Sequence, residues 1–490
     1  MCVALSGHAA TTDTTAYVLT LPEAIRLAQL HSPDARSARH TFRSAYWNYR
    51  YYKANYLPSL TLTSNPSLNR SINKVTQGDG TVRFVEQNLL STDLSLTMTQ
   101  NIALTGGSVF LETSLQRLDQ LDSKVVSWNS SPVNFGISQS LFGYNSLKWS
   151  RRIEPVRYQE ARKTYVETLE LVASSAVTKF FRLAAAQSNY EMACANYANA
   201  DTLARFGRGR YEIGRIPESE MLQLELNKLT EESNRMNAAI EVDNCVQELR
   251  SYLGLQDDKP LQVAVDDNLP DFSIGLAEAL KQANLNSPDI QTMIRRKLEA
   301  RSSVAQARSN AGLKADLYMR FGLTQTASEL SDAYRRPLDQ QYVSVGISLP
   351  ILDWGRGRGQ VRVARSNKDL VDTQVEQSRI DFDRNVRKLV NQFNLQRQRV
   401  HIAERADDMA RRRNDVARGL YLLGKSTILD LNASVSEKDQ ARSKYIQSVY
   451  DYWSLYYSLR SVTLYDFEKR EPLTADYEKL IDEQMENDNK

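Results

Sequence analysis

At 490 residues the chain is long enough for two to four domains, and its 62 Lys and Arg against 59 Asp and Glu give no reason to expect nucleic acid as a partner. No apolar run reaches about 18 residues, so the sequence contains no candidate transmembrane helix. Three cysteines, Cys2, Cys194 and Cys245, are too widely separated to predict a disulfide framework or a metal site.

The first residues resemble the end of a secretory signal. Met1–Leu5 is apolar, and Gly7–Ala9 has small residues at both ends, as a signal-peptidase site requires. We interpret residues 1–16 as a signal-peptide remnant and N-terminal segment, with the mature chain beginning near Ala10. The alternative, in which Cys2 carries a lipid, stays open.

The next predicted element is a helix over Leu21–Asn55, interrupted at Ser32–Asp34 and rich in tyrosine in its second half. These tyrosines indicate packing or a membrane-interface belt. A strand follows at Ser59–Thr63. Alternating apolar and polar residues predict an additional hairpin and a returning strand at Leu94–Thr99, Val109–Gln116 and Val133–Ser140, and the polar stretch Asp119–Ser131 predicts an exposed loop.

Long helical patterns follow the strands. Asn145–Ile213 and Gly355–Leu423 would each reach roughly 100 Å at 1.5 Å per residue, and Pro155 is expected to begin the regular part of the first or to kink it. The other predicted elements are helices at Pro217–Leu253, Leu276–Asn310 and Thr427–Asp466, strands at Asp316–Thr324 and Tyr342–Leu349, and a polar loop at Ala327–Gln340.

The chain repeats itself. Phe135–Ser138 corresponds to Val345–Ser348 at an offset of 210, whereas Ser32–Asp34 recurs as Ser287–Asp289 at an offset of 255, which places 45 extra residues in the strand region of the first copy. This internal tandem duplication predicts one body made of two similar halves. The expected segments are 1–16, a first repeat at 17–254, a linker at 255–272, a second repeat at 273–467 and a tail at 468–490.

The six predicted strands cannot close by themselves, because about eight strands are needed merely to enclose packed side chains. An open sheet in a membrane would leave two edges unpaired, which lipid does not tolerate. Two half-length helices laid end to end match one long helix. The sequence therefore predicts an α+β membrane protein in which several copies together complete a strand barrel and a long helical wall.

Three features of the sequence occur together: the duplication, the stretch Ile347–Arg356, and the Tyr-x-x-Gly turns at Tyr211–Gly214 and Tyr421–Gly424. By these features the chain resembles, from Tyr17 to about Phe467, the TolC-type outer-membrane efflux factor family, trimeric channel-tunnels of Gram-negative bacteria. The resemblance implies a transmembrane β-barrel shared between three protomers in the cell outer membrane. It also implies a coiled-coil α-helical barrel in the periplasm and an equatorial region that includes the linker.

The resemblance also implies partners and a role. They are a homotrimer, outer-membrane lipid, a periplasmic adaptor (membrane fusion) protein and an inner-membrane pump. The role is that of the exit channel of a tripartite efflux or type I secretion system. If the extra hairpin joins the barrel, which we favour, a trimer has about 18 strands rather than 12.

Two acids are candidates for the periplasmic aperture. Glu220 and Asp430 each follow a turn glycine by six residues, and the resemblance places them at the constriction, where rings of carboxylates would attract cations. Gln223 and Ala433 stand where the family can carry a second acid, so the ring is expected to be thin. Alternatively, both are early-helix acids favoured by the helix dipole.

The turns themselves are further candidates. Gly214, Arg215, Gly424 and Lys425 resemble tips that dock an adaptor, although a plain helical hairpin also explains the glycines. The third candidate, the strand-to-helix turn, comprises Pro350, Asp353, Trp354 and Gly355.

Catalysis is not predicted. The four histidines show no metal spacing, no nucleophile lies in a pattern with a base, and Gly355-x-Gly357-x-Gly359 lacks the context of a phosphate loop. We therefore expect no enzyme activity and no cofactor. The alternative to a channel is a structural periplasmic coiled-coil scaffold without a transport role.

Overall fold

The computed structural model describes residues 17–255, 260–265 and 269–488. The predicted signal remnant with Cys2, and parts of the predicted linker, lie outside these residues. The chain forms two compact units. We call the described residues of Met1–Arg43, Glu160–Ile290 and Arg379–Lys490 the helical unit, and Ser44–Gln159 with Gln291–Ser378 the sheet unit.

Helices account for most of the described chain. The predicted helix at Leu21–Asn55 is two helices, because Ser32 before Pro33 takes an extended conformation, and Ser287 breaks the second copy in the same way. Pro155 does not begin its helix but lies inside it. The helices are α1 Leu21–His31, α2 Pro33–Ala54, α3 Ser146–Glu212, α4 Glu218–Leu253, α5 Leu276–Asn286, α6 Pro288–Ala311, α7 Arg356–Leu422, α8 Ile428–Thr463 and α9 Tyr477–Asp488.

Within the described ranges, no helix is both long enough and apolar enough to cross a membrane.

The strands of the described chain are β1 Tyr17–Thr20, β2 Ser59–Ser64, β3 Ser67–Thr76, β4 Val82–Asn101, β5 Ser108–Gln120, β6 Val125–Ser140, β7 Leu261–Ala264, β8 Lys314–Ala327, β9 Leu338–Ser348, β10 Tyr465–Asp466 and β11 Glu471–Pro472. The sheet unit is built on one antiparallel sheet of order β2-β4-β5-β6-β8-β9, with β3 also paired to β4. The predicted extra hairpin thus belongs to the same sheet as the other strands.

The predicted loop at Asp119–Ser131 is wrong. β5 continues to Gln120 and β6 begins at Val125, so only residues 121–124 turn the chain. The polar side chains that suggested a loop lie along the strand itself, where Ser127 and Asn129 are half-buried and Ser130 and Ser131 are buried. For the same reason β3 and the outer half of β4 were missed.

β2 and β3 form a single interrupted edge strand. Ser64 lies opposite Leu94, and three residues further along both strands Ser67 lies opposite Ser91, so the register continues unchanged across the break. The break coincides with Pro66, which has no N–H to donate. Because β2 and β3 together occupy one position at the edge, the sheet is six strands wide.

One face of the sheet is apolar and the other is polar. Residues directly opposite one another on neighbouring strands share a face of the sheet, and together they form a row across it. One such row, which crosses five strands, is wholly apolar. The adjacent row, on the other face, is polar. The apolar row is Leu60, Met98, Leu111, Phe135 and Phe321, and the polar row is Thr61, Thr97, Glu112 and Asn134. The apolar row is solvent-exposed in the single chain, so this face requires an apolar environment.

The helical unit contains a buried ion cluster. Arg460 donates to both carboxylate oxygens of Glu170, at 2.7 and 3.1 Å, and to Asp466 at 2.8 Å. The Glu170 and Asp466 side chains are only 5% and 3% exposed. Tyr456 completes the cluster by donating to the other oxygen of Asp466 at 2.7 Å. Each buried charge thus has a partner, as stability requires.

Arg460→Gln is expected to lower the free energy of unfolding by about 3–5 kcal/mol, because it leaves two buried carboxylates without a counter-charge. Denaturant unfolding followed by far-ultraviolet circular dichroism measures the change. The control Arg412→Gln, on an exposed side chain, should change stability by less than about 0.5 kcal/mol. Equal effects of the two substitutions would contradict a structural role for the cluster.

A half-buried acid of helix α3, Glu167, predicts a pH dependence. Burial raises the pKa of Glu167 to about 7, and the negative charge of Asp289 adds to this effect. The folded protein therefore holds this proton more tightly than the unfolded chain does, so the stability from this group is present at low pH and is lost as pH rises from about 4.5 to about 7.

Glu167→Gln should reduce the loss of stability between about pH 5 and pH 8 by about 1 kcal/mol, after allowance for solvent screening. The substituted amide stays neutral across this pH range, so the variant does not lose stability when the native carboxyl would ionise. Unfolding midpoints at the two pH values, compared with the exposed control Glu376→Gln, test this. A pH dependence identical to that of the native sequence would show that Glu167 is not responsible.

Candidate functional site at the helical hairpin turns

The two predicted tips have the same backbone geometry. Gly214 and Gly424 adopt positive φ, at 67° and 70°. In each turn the glycine N–H bonds to the tyrosine carbonyl three residues back, and the following N–H bonds five residues back, at 2.8–2.9 Å. This is the Schellman arrangement, which needs glycine at its left-handed position. Both tip cations, Arg215 and Lys425, are exposed.

The two hairpins meet at the tips. Tyr421 donates a hydrogen bond to Glu220 at 3.4 Å, and Asn227 donates to Asn432 at 3.3 Å. Tyr421 is only 4% exposed. Burial, followed by the adjacent Glu220 charge, raises the pKa of the Tyr421 hydroxyl, so it stays a neutral donor. The α3–α4 and α7–α8 hairpins are therefore joined through a candidate aperture acid.

Asp430 has a different environment. It lies in the first turn of α8, where Thr427 donates to its carboxylate at 2.9 Å and accepts its backbone N–H at 3.2 Å. Ser426 donates to the same carboxylate oxygen at 3.3 Å. These bonds, led by the Thr427 hydroxyl, hold the pKa of Asp430 below its usual value. The result is an exposed carboxylate that is ionised at neutral pH and also stabilises the helix start.

The two copies differ at equivalent positions. Pro217 begins α4 without a side-chain hydrogen bond, whereas Thr427 caps α8. Without a capping hydroxyl beside it, Glu220 is available to Tyr421. The matching tyrosine of the first copy, Tyr211, is 38% exposed. The duplication has thus produced one acid that joins hairpins and one that faces solvent.

The pairing of Tyr421 with Glu220 could not be read from the sequence. The repeated Tyr-x-x-Gly pattern marked Tyr421 as part of a turn, but its partner is 201 residues away. Arg210 was also missed. A Cβ built at Gly424 would lie 3.6 Å from an Nη of Arg210, so this cation lies against the opposite tip. The only sign of these contacts in the sequence is position, because Arg210 and Tyr421 each lie within about one helical turn of a tip glycine.

A cavity of about 750 Å³ lies among α3, α4, α7 and α8 in the helical unit. Asn196 donates to Asp439 at 2.7 Å and accepts from Lys438 at 3.0 Å within it. The lining combines amides with charged side chains such as Glu231, Asp439 and Lys444. Its asparagines are Asn189, Asn196, Asn199, Asn227, Asn234, Asn414 and Asn432. Over the described ranges, no cluster of potential metal ligands is present.

The predicted strand-to-helix turn is held by Asp353. Its two carboxylate oxygens accept the N–H groups of Gly355 at 2.9 Å and Gly357 at 2.8 Å, which orders the start of α7. β9 ends at Ser348, just before Pro350. These residues lie in the sheet unit, whereas the tips and both candidate acids lie in the helical unit.

Comparison with known proteins places this geometry in context. A family model described as outer membrane efflux protein matches residues 24–255 and 279–463. Outer membrane protein TolC of Escherichia coli strain K12 is 22% identical over 348 residues, covering 68% of this chain and 69% of TolC. The two matched segments confirm the duplication and the family resemblance.

Solved structures share the fold. The Campylobacter jejuni CmeC outer membrane channel superposes with a TM-score of 0.68 at 18% identity, covering 95% of this chain and 89% of CmeC. The outer membrane protein VceC of Vibrio cholerae gives 0.64 at 15% identity, covering 90% of this chain and 95% of VceC. The predicted fold class, with long helices, a sheet and an internal repeat, is confirmed.

Proposed function

The chain belongs to the outer membrane efflux protein family, and we propose that three copies of it form the exit channel of a tripartite efflux or type I secretion system. Its location is the outer membrane, with an extension into the periplasm. Conduction is passive, and the substrates arrive from an adaptor and an inner-membrane pump. No covalent chemistry is required of the chain.

The sheet carries the proposal. Its strands pair antiparallel throughout, and β2–β3 and β9 form its two edges. Because the sheet is six strands wide, these edges run in opposite directions, so β9 of one copy can pair antiparallel with β2 of the next. Such closure satisfies every edge group, as lipid demands, and turns the apolar face outward and the polar face inward. A periplasmic scaffold would have no use for the exposed apolar face.

The hairpin tips supply the proposed aperture. In a ring of three copies, Asp430 contributes three ionised carboxylates, which attract cations and repel anions at a narrow mouth. The Tyr421–Glu220 bond holds the two hairpins of one copy together in a closed arrangement. Opening therefore requires this bond to break.

Tyr421→Phe and Glu220→Gln are expected to increase the open population about ten- to hundredfold, because a hydrogen bond to a charged acceptor contributes about 1.5–3 kcal/mol. Asp430→Asn should instead reduce cation selectivity without the same gain in conductance. Single-channel recordings in planar bilayers separate these effects. The control is Glu218→Gln, an acid in the same first turn of α4, which should behave like the native channel. Unchanged conductance and selectivity in all variants would exclude the aperture assignment.

The tips are also the proposed docking points of the adaptor. Arg215 and Lys425 are exposed beside turns fixed by hydrogen bonds, so they present a preformed surface to a partner. A cysteine at either position, joined to a bifunctional reagent in intact cells, should capture the periplasmic adaptor. The matched site is Asp79, in the exposed turn between β3 and β4. Capture from position 79 and not from the tips would overturn the docking proposal.

A further inference from the structure

Three turns at one end of the sheet expose apolar side chains. They are residues 102–107 between β4 and β5, residues 141–145 after β6, and residues 349–355 after β9. The register places all three at the same end, where Asn101 pairs with Ser108, Ser108 with Ser138, and Lys314 with Ser348. The exposed side chains are Leu104 at 87%, Phe142 at 57%, Ile351 at 93%, Leu352 at 71% and Trp354 at 90%.

The turn after β9 presents its indole in a fixed geometry. Trp354 has a positive φ of 54°, a conformation unfavourable for a bulky residue. The Asp353 carboxylate bonds on either side of the helix start maintain it. In the first copy the equivalent aromatic residue is Tyr144, whose hydroxyl is tied to Ser302 at 2.5 Å. Trp354 has no such hydroxyl and projects outward, so it is held ready for an external partner.

A basic stripe adjoins this turn. Arg358, Arg362 and Arg365 are spaced i, i+4 and i+7, so they share one face of α7, and all three are exposed. Across the described part of the chain, none of them forms an ion pair with a carboxylate at 4.0 Å or less. The first turn of α7 carries no acid, contrary to the usual preference set by the helix dipole. Asp353 lies within electrostatic reach of Arg358, so the positive charge without a nearby carboxylate in the described chain is carried chiefly by Arg362 and Arg365.

Exposed tryptophan, aliphatic side chains and arginine together are typical of a membrane interface with anionic headgroups. A neighbouring copy of the chain is the other candidate partner. It could cover the turn after the edge strand β9, but β6 lies between β5 and β8, so a copy pairing at the sheet edges does not reach residues 141–145. That turn exposes Phe142 nevertheless. Lipid surrounds the whole end of the sheet, so it accounts for the exposed apolar side chains of both turns.

We propose that Trp354, Ile351 and Leu352 insert beside the acyl chains of anionic phospholipids while Arg358, Arg362 and Arg365 bind the phosphate headgroups. The site is the leaflet boundary at the end of the sheet where strands give way to helices. It rests on the outer-membrane function proposed above and adds a lipid preference to it. Bound anionic lipid would fix the depth of the sheet in the bilayer.

The test uses the full chain in phosphatidylcholine vesicles containing an equal mole fraction of either brominated phosphatidylglycerol or brominated phosphatidylcholine. Bromine quenches nearby indoles, and subtracting the emission of Trp354→Phe isolates the signal of Trp354 from the other four tryptophans. Each arginine at an anionic surface should enrich anionic lipid about fivefold. Brominated phosphatidylglycerol is therefore expected to quench Trp354 more strongly than brominated phosphatidylcholine.

The Arg358→Gln, Arg362→Gln, Arg365→Gln triple variant should lose this preference. The control Arg379→Gln, Arg387→Gln, Arg405→Gln removes the same charge from exposed positions of the same helix and should keep it. If the triple variant does not insert into vesicles, the single variant Arg362→Gln replaces it. This variant is expected to weaken the preference for the anionic lipid.

Equal quenching by both lipids in the native sequence overturns the anionic headgroup site. Absence of quenching by either lipid places Trp354 against another copy and overturns the lipid partner altogether. Conductance measured in the same vesicles separates these results from the proposed function. A conducting channel without selective quenching refutes only this inference, whereas a protein that neither inserts nor conducts refutes both.

Discussion

The unpaired edges of the six-strand sheet are the constraint on which the rest of the structure depends. β2–β3 and β9 each leave a row of N–H and C=O groups without a partner within the sheet, and such groups cannot remain unsatisfied in lipid. The even number of strand positions makes the two edges antiparallel, so identical copies can satisfy one another. The strand register also determines the apolar and polar rows, because successive side chains along a strand point to opposite faces of the sheet.

Much of this architecture could be predicted from sequence because its signals are local or repeated. Pro33 and Pro288 mark the helix breaks, and Gly214 and Gly424 mark the caps. Polarity misled the strand prediction at Asp119–Ser131, since a polar side chain can lie buried on a strand when it has a hydrogen-bond partner, as Ser130 has in the Ala333 carbonyl. The Tyr421–Glu220 bond could not be predicted, because it joins two hairpins distant in sequence and depends on how helices pack. Asp430 was identified as an acid of interest, but its hydrogen bonds to Thr427 and Ser426 depend on local rotamers.

The duplication supplies a backbone framework whose copies have diverged at single side chains. Thr427 caps its helix where Pro217 cannot, and this difference gives Asp430 and Glu220 distinct environments. In the strand-to-helix turns, Tyr144 is bonded within the chain while Trp354 is exposed. In each pair one position serves the fold and the other faces outward. A repeat of this kind lets new contacts evolve without altering the helix and strand bounds.

The proline at the break between β2 and β3 has a consequence for the newly made protein. Before it meets other copies, a chain crossing the periplasm carries an edge that could template strand after strand into a fibre. Pro66 removes one donor from that edge and divides it into the six residues of β2 and the ten of β3. An interrupted edge is a poor template for pairing with the strands of other chains. The same residue that leaves the register intact thus makes this edge a poorer template than an unbroken strand of the same length would be.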